Sequence, residues 1–128
     1  MREPVEIAGW FGGRFPSVVV LQGENIVAFA ATSTYRPREC YDGIAEFSVY
    51  VAREARGLGA GRAAMDGLLA AATEAGFYKL VSRVFPENTA SLRLLESLGF
   101  REVGVYRRHA RLDGAWRDVV IVEKLLDE

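Results

Sequence analysis

The stretch from Glu46 to Gly76 constrains the fold more than any other, because a strand-like run, a glycine-rich turn and a helix-like run follow one another directly. Glu46-Phe47-Ser48-Val49-Tyr50-Val51 alternates in polarity and is rich in β-branched and aromatic residues, so it reads as a strand. Arg56-Gly57-Leu58-Gly59-Ala60-Gly61 follows, and then Met65, Leu68, Leu69 and Ala72 recur at helical spacing until Gly76 ends the run. The first N–H groups of such a helix have no partner inside it, and they point outward with the positive end of the macrodipole. Gly57, Gly59 and Gly61 would allow a phosphate to approach that backbone closely. Strand, turn and helix start therefore predict an anion site. The spacing is neither the three-glycine dinucleotide pattern nor a P-loop with its Gly-Lys-Ser/Thr.

The remaining chain gives this unit its context. At 128 residues it is long enough for one domain, 1–128, with a real core. Residues Pro4 to Phe15 place Ile7, Trp10 and Phe11 at helical spacing before Gly12 and Gly13, which predicts a short helix. Ser17 to Gln22 and Ile26 to Thr34 read as a hairpin about Gly23-Glu24-Asn25, followed by a polar loop from Tyr35 to Gly43. Tyr78 to Val84 is a strand parallel to the Glu46 strand, since a helix connects them. Pro86 ends it, Asn88 can cap a helix in which Leu92, Leu95 and Leu98, or Leu94 and Leu98, share a face, and Gly99 closes that helix. Phe100 to Arg107 and Arg117 to Leu126 form the last strands, with Asp113-Gly114 marking the turn. The order predicts an α/β (α+β) fold: a mixed, largely antiparallel sheet with a central parallel strand pair and helices on both faces.

Charge and cysteine content narrow the function classes. A net charge of −1 gives no whole-chain field for nucleic acid or a membrane surface. The lone Cys40 and lone His109 predict no internal disulfide and no zinc cage, hence no metal and a cytoplasmic location. Arg2, Glu3 and Glu6 interrupt any apolar block at the N-terminus, so neither a signal peptide nor a membrane span is expected there.

The turn at Arg56-Gly57-Leu58-Gly59-Ala60-Gly61 resembles the Arg/Gln-x-x-Gly-x-Gly/Ala signature of the GNAT family of N-acetyltransferases. Asn88-Thr89-Ala90-Ser91 running into Leu98-Gly99-Phe100 matches the family's second signature at the expected distance. The resemblance runs from about Pro4 to Leu125 and is nearest to the phosphinothricin and methionine sulfoximine acetyltransferase branch. It is carried there by Tyr41-Asp42 ahead of Glu46, by Val49-Tyr50-Val51, by Phe100-Arg101-Glu102-Val103-Gly104, and by Trp116 with Asp118. That resemblance implies acetyl-CoA as cosubstrate, a small amino-acid-like amine as acceptor, a detoxifying role and a homodimer.

It also implies site roles. An acceptor ammonium must lose a proton before it can attack a thioester, and Glu46 is the expected base, directly or through a water. Spacing alone leaves open a Glu46 paired with Arg36 or Arg38 for structure. Val49, Tyr50 and Val51 would bind the cofactor, with Val49 and Val51 meeting the pantetheine arm and the carbonyl oxygen through the main chain while the two valine side chains pack in the core. Arg56, Gly57, Leu58, Gly59, Ala60, Gly61 and Arg62 would hold the pyrophosphate, with Arg53 close by. Asn88 and Ser91 would reach the cofactor, although helix capping explains them equally on sequence alone. Arg36 and Arg38, with Tyr41, would grip the acceptor's anionic head.

The departures are specific. Leu95 stands where the family places a tyrosine or histidine acid, leaving protonation of the CoA thiolate unassigned, with Tyr106 a substitute. Leu112 replaces a lysine frequent in the branch. Family members usually begin with a further strand and helix, so Ser17 to Gln22 is expected to present an open edge for a partner chain. Rival functions are acetylation of another amine, such as a peptide N-terminus or a polyamine, and a non-catalytic CoA-binding module.

Overall fold

Alternating strands joined by tight turns build one sheet, and the two glycine-ended apolar runs supply its helices. The computed structural model describes the backbone of residues 5–10, and residues 15–36, 42–53 and 59–126. The strands are β1 (Val5–Trp10), β2 (Ser17–Gln22), β3 (Asn25–Thr34), β4 (Ile44–Val51), β5 (Lys79–Val84), β6 (Arg101–Leu112) and β7 (Ala115–Leu125). Helix α1 (Ala60–Glu74) joins β4 to β5, and α2 (Thr89–Ser97) joins β5 to β6. The sheet order is β1-β2-β3-β4-β5-β7-β6, antiparallel throughout except at β4–β5. The expected mixed sheet with a central parallel pair is thus present.

Turn chemistry sets the two hairpins. Gly23 takes a φ of 63° between β2 and β3. Between β6 and β7 both Asp113 (φ 52°) and Gly114 (φ 77°) are left-handed, the conformation whose twist suits a two-residue hairpin. These strands run further toward the turn than Arg107 and Arg117, the expected limits. Three residues of β6, 107–109, stand opposite Asp118 alone, and the Asp118 carboxylate accepts the N–H of Arg108, itself at φ 49°. This bulge hides the alternation that would have extended the strand.

Two expectations are corrected at the N-terminus. Val5–Trp10 is not a helix but a strand, paired antiparallel with β2 from Val5↔Gln22 to Trp10↔Ser17. Ladder pairing outweighs a helical spacing only one turn long. Because β1 occupies that side, Ser17–Gln22 is an interior strand and no open edge.

The core lies between the sheet and α1. Val18, Val20, Ala28, Ala30, Ala45 and Phe47 on the strands meet Ala64, Met65, Leu68 and Ala72 of the helix, all buried. Met65 and Leu68 are wholly buried, each contributing about 1.5–3 kcal/mol relative to exposure. Chain direction fixes where the helices sit. β4, β5 and β6 all run the same way and advance in one direction across the sheet. Right-handed crossovers then put both helices on one face. Consistently, a Cβ built on Gly61 of α1 would touch Val51 of β4 at 3.0 Å and Leu94 of α2 at 3.2 Å. The expectation of helices on both faces is therefore met on one face only among the described residues. The other face carries Phe29 and Tyr50, stacked 5.5 Å apart, together with Glu46 and Arg83.

The parallel pair is short. β4 and β5 pair only at Ile44↔Lys79, Ala45↔Leu80 and Glu46↔Val81. Beyond Glu46, β4 stays with β3 as far as Val51 while β5 stays with β7 as far as Val84. The strands splay, and Ser82 Oγ donates a 2.8 Å hydrogen bond to the Phe47 carbonyl where they part.

Candidate active site

The splay leaves main-chain groups of β4 facing a gap. Ala52 N–H donates to the Val27 carbonyl at 2.8 Å, on the β3 side. Alternation along the strand turns Val49 and Val51 the other way, as the Phe47 carbonyl facing Ser82 also shows. No strand among the described residues pairs with them there. Across the gap lies the start of α1. Gly59 precedes it at φ 83°, a conformation that favours glycine, and the first turn has neither a capping side chain nor an acidic residue. Among the described residues, neither the cap nor the first turn compensates the positive helix end.

These elements enclose a cleft of about 380 Å³ lined by Val49, Tyr50 and Val51 on one wall, Gly59, Gly61 and Arg62 at one end, and Asn88, Ala90, Ser91 and Leu94 on the other wall. Gly61 keeps its packed floor narrow, since even a methyl there would crowd Val51 and Leu94. Arg62 reaches across from α1 to α2, donating from Nη1 to Ser97 Oγ at 3.2 Å. Asn88 Oδ1 accepts the Ser91 N–H at 3.2 Å, so the capping role foreseen for Asn88 is real, and its side chain lines the cleft as well.

A second cleft of about 250 Å³ opens from the same place. Its lining includes Glu46, Ser48, Ser82, Arg83 and Leu95, and it shares Val49, Asn88 and Ser91 with the first. The two clefts therefore meet at the splay. Glu46, 21% exposed, accepts from Arg83 Nη2 at 3.0 Å on Oε1 and 3.2 Å on Oε2, and Arg36 Nη1 stands 3.9 Å from Oε1. Leu95, only 1% exposed, floors this cleft with a group that cannot exchange protons.

The predicted residues divide cleanly. Glu46, Val49, Tyr50, Val51, Gly59, Gly61, Arg62, Asn88 and Ser91 line one or both clefts, and Ala60 is buried beneath the first turn. Arg36 reaches Glu46, as one reading of the spacing had it. Arg38, Tyr41, Arg56, Gly57 and Leu58 lie outside the described residues. Tyr106 packs on His109 at 4.5 Å along β6 and lines neither cleft. Sequence reading missed Arg83 and Ser82. Their signal is the register alone: Glu46↔Val81 puts Arg83 two residues on, on the same face. Among the described residues no cluster of three His, Cys, Asp or Glu could hold a metal, and no helix is long and apolar enough to cross a membrane.

Comparison with known proteins agrees with this geometry. The model of the acetyltransferase (GNAT) family matches residues 2–100. An L-methionine sulfoximine/L-methionine sulfone acetyltransferase of Pseudomonas paraeruginosa is 30% identical, over 97% of this chain and 77% of its own. Among solved structures, a ribosomal-protein-alanine N-acetyltransferase of Brucella melitensis superposes with a TM-score of 0.83 at 33% identity, covering 87% of this chain and 68% of that one. A phosphinothricin acetyltransferase of Sinorhizobium meliloti in complex with AcCoA gives 0.81 at 28% identity, covering 87% and 60%. The chain spans from 57% to 78% of the length of the first relatives it matches. With its splayed parallel pair, its glycine-started helix and a family model covering residues 2–100, this chain belongs to the GNAT family of acetyltransferases.

Proposed function

We propose that the chain is an N-acetyltransferase that moves the acetyl group of acetyl-CoA to the amine of a small amino-acid-like acceptor of the phosphinothricin or methionine sulfoximine type. The observation that carries this reading is the junction of the two clefts at the β4–β5 splay, with a carboxylate, Glu46, on the acceptor side. The first cleft fits coenzyme A on this structure's own terms: a floor where a Cβ on Gly61 would crowd its neighbours, strand amides with no ladder partner, and a helix start without its own acid. When bound, acetyl-CoA supplies an acetyl group activated as a thioester.

The chain's residues do the rest. The N–H groups opening α1 at Gly59, Ala60 and Gly61, with Arg62, hold the pyrophosphate. The resemblance assigns Arg56, Gly57 and Leu58, which lie outside the described residues, to the same pyrophosphate. Val49 and Val51 offer N–H and C=O groups to the amide-bearing arm in the manner of an added strand, and an N–H to the carbonyl oxygen as it gains negative charge. Tyr50, Asn88 and Ser91 line the passage. Glu46 takes one proton from the acceptor ammonium, freeing the nitrogen lone pair, and returns it to solvent through the open second cleft; the emptied carboxylate then takes the second proton, which the nitrogen sheds as the C–N bond forms and the C–S bond breaks. Arg36, with Arg38 and Tyr41, holds the acceptor's anionic head. Leu95 supplies no acid, and a leaving thiolate of ordinary thiol pKa, roughly 8.5, tolerates that.

The chain acts as a homodimer, in the cytoplasm, in detoxification of such amino acids. Exposed Val103 and Val105 on the outermost strand β6 support self-association, for which sedimentation equilibrium is the test, a monomer at all concentrations contradicting it. Acetylation of a peptide N-terminus is the second reading, favoured by the likeness to the ribosomal-protein-alanine acetyltransferase. Thiol release from acetyl-CoA, measured against phosphinothricin, methionine sulfoximine, an Ala-initiated peptide and a polyamine, separates these. Turnover is expected with the amino acids and none after Glu46→Gln. Acetyl-CoA binding with no turnover on any amine would identify a binding module instead.

A further inference from the structure

Arg83 holds the two oxygens of Glu46 with a single nitrogen. Nη2 lies 3.0 Å from Oε1 and 3.2 Å from Oε2, where a guanidinium facing a carboxylate squarely would use two nitrogens. Nη1 and Nε are left without a protein partner among the described residues, on a side chain that is 48% exposed and lines the second cleft. The bond also crosses the splay, since Glu46 belongs to β4 and Arg83 to the part of β5 that has already separated from it. Arg36 stands by the same carboxylate, 3.9 Å from Oε1, with its Nη1 anchored on the Tyr35 carbonyl at 2.9 Å.

Two guanidiniums stand by one carboxylate, Arg83 in the lining of the second cleft and Arg36 outside that lining, so among the described residues the Glu46 cluster carries a net positive charge. A bare ammonium entering the second cleft meets that cluster and a base already engaged. An acceptor carrying an anion beside its amine brings the missing negative charge and a match for the unused Nη1 and Nε donors. Resting on the N-acetyltransferase reading above, we propose that Arg83 is a latch on the base: it keeps Glu46 engaged across the splay until the acceptor's own anionic group takes the guanidinium over. Arg83 is thus a positioning and specificity residue from β5, distinct from the loop arginines at 36 and 38. The latch makes an anion adjacent to the amine a condition for turnover.

The test uses two acceptors with the same amine, L-methionine sulfoximine and its α-carboxamide, on the wild type, Arg83→Gln and Arg83→Lys. Turnover is read as thiol release, and binding as calorimetry on the CoA-loaded protein. The wild type is expected to favour the carboxylate. Arg83→Gln should lower kcat/KM for it by about 10- to 100-fold, mostly through KM, the value of one charge-assisted contact of roughly 1.5–3 kcal/mol. The carboxamide should be used as well as before or better, and Arg83→Lys should restore part of the preference. Equal losses for both acceptors would make Arg83 a mere support for Glu46, and unchanged discrimination would remove it from the site; either result overturns the proposal. If no acceptor turns over in the wild type, the acetyltransferase reading fails, while calorimetric preference for the carboxylate, lost in Arg83→Gln, still decides whether Arg83 holds an anion.

Discussion

Replacing Ser82 by alanine removes the one hydroxyl that holds the Phe47 carbonyl where β4 and β5 part. The bond is 2.8 Å long and Ser82 is only 7% exposed, so the carbonyl loses a real partner. Leaving a buried acceptor unpaired costs about 1–3 kcal/mol. Phe47 also lines the second cleft, where a water can take over part of the bond, so the loss should fall near the low end, about 1–1.5 kcal/mol. For a domain of this size that is a fall in Tm of roughly 4–6 °C. Thr32→Val is the matched control. Thr32 Oγ1 donates to the Pro16 carbonyl at 2.7 Å in an equally buried place, but that carbonyl also receives the Thr32 N–H at 3.2 Å and lies away from both clefts. Both variants should lose stability in urea or thermal unfolding. Only Ser82→Ala should lower thiol release, severalfold, at temperatures where both are folded. If Ser82→Ala is as stable as the wild type, the carbonyl is not held as described. If it is destabilised yet fully active, the splay is not where the reaction occurs.

Other expectations follow from single contacts. Gly59→Ala forces a Cβ into a left-handed conformation but meets no atom within 4 Å, so it should cost about 1–2 kcal/mol by conformation alone, read by urea unfolding. Gly61→Val instead presses on Val51 and Leu94, and should weaken acetyl-CoA binding in calorimetry more than Gly59→Ala does. Glu123, held between Lys79 Nζ at 2.7 Å and Arg101 Nη2 at 2.6 Å, keeps its carboxyl below the usual range, chiefly through the Lys79 hydrogen bond and against the opposing effect of burial. A depressed folded-state pKa contributes stability above the unfolded value and loses it as pH falls through the folded one. The stability gap between wild type and Glu123→Gln, measured by urea unfolding, should therefore be full near neutrality and close as the pH drops below the ordinary carboxylate value.

Much of this molecule was legible because local chemistry and tertiary structure agree. Gly23 and Asp113-Gly114 mark turns that must be left-handed, Asn88 caps the helix it was expected to cap, and Gly59 opens α1. Val5–Trp10 failed for a definite reason: Ile7 and Trp10 fit one helical turn, while the ladder to β2 that makes the segment a strand is a long-range fact. The bulge at 107–109 likewise depends on a partner, the Asp118 carboxylate, ten residues beyond Arg108. At the site, spacing led to Glu46 and the glycines but could offer only Arg36 or Arg38 as its ion partner. Arg83, 37 residues away, comes to Glu46 through the parallel register and is the closer partner.

Catalysis as proposed requires a diphosphate to rest on the amides at the start of α1 so that a thioester reaches the splay beside Glu46. A crystal structure of the protein with acetyl-CoA decides this. The diphosphate should lie against the main chain at Gly59 to Gly61, the arm along Val49 and Val51, and the thioester at the junction of the two clefts. Coenzyme bound elsewhere, or a diphosphate at α1 with the thioester turned away from Glu46, would contradict it.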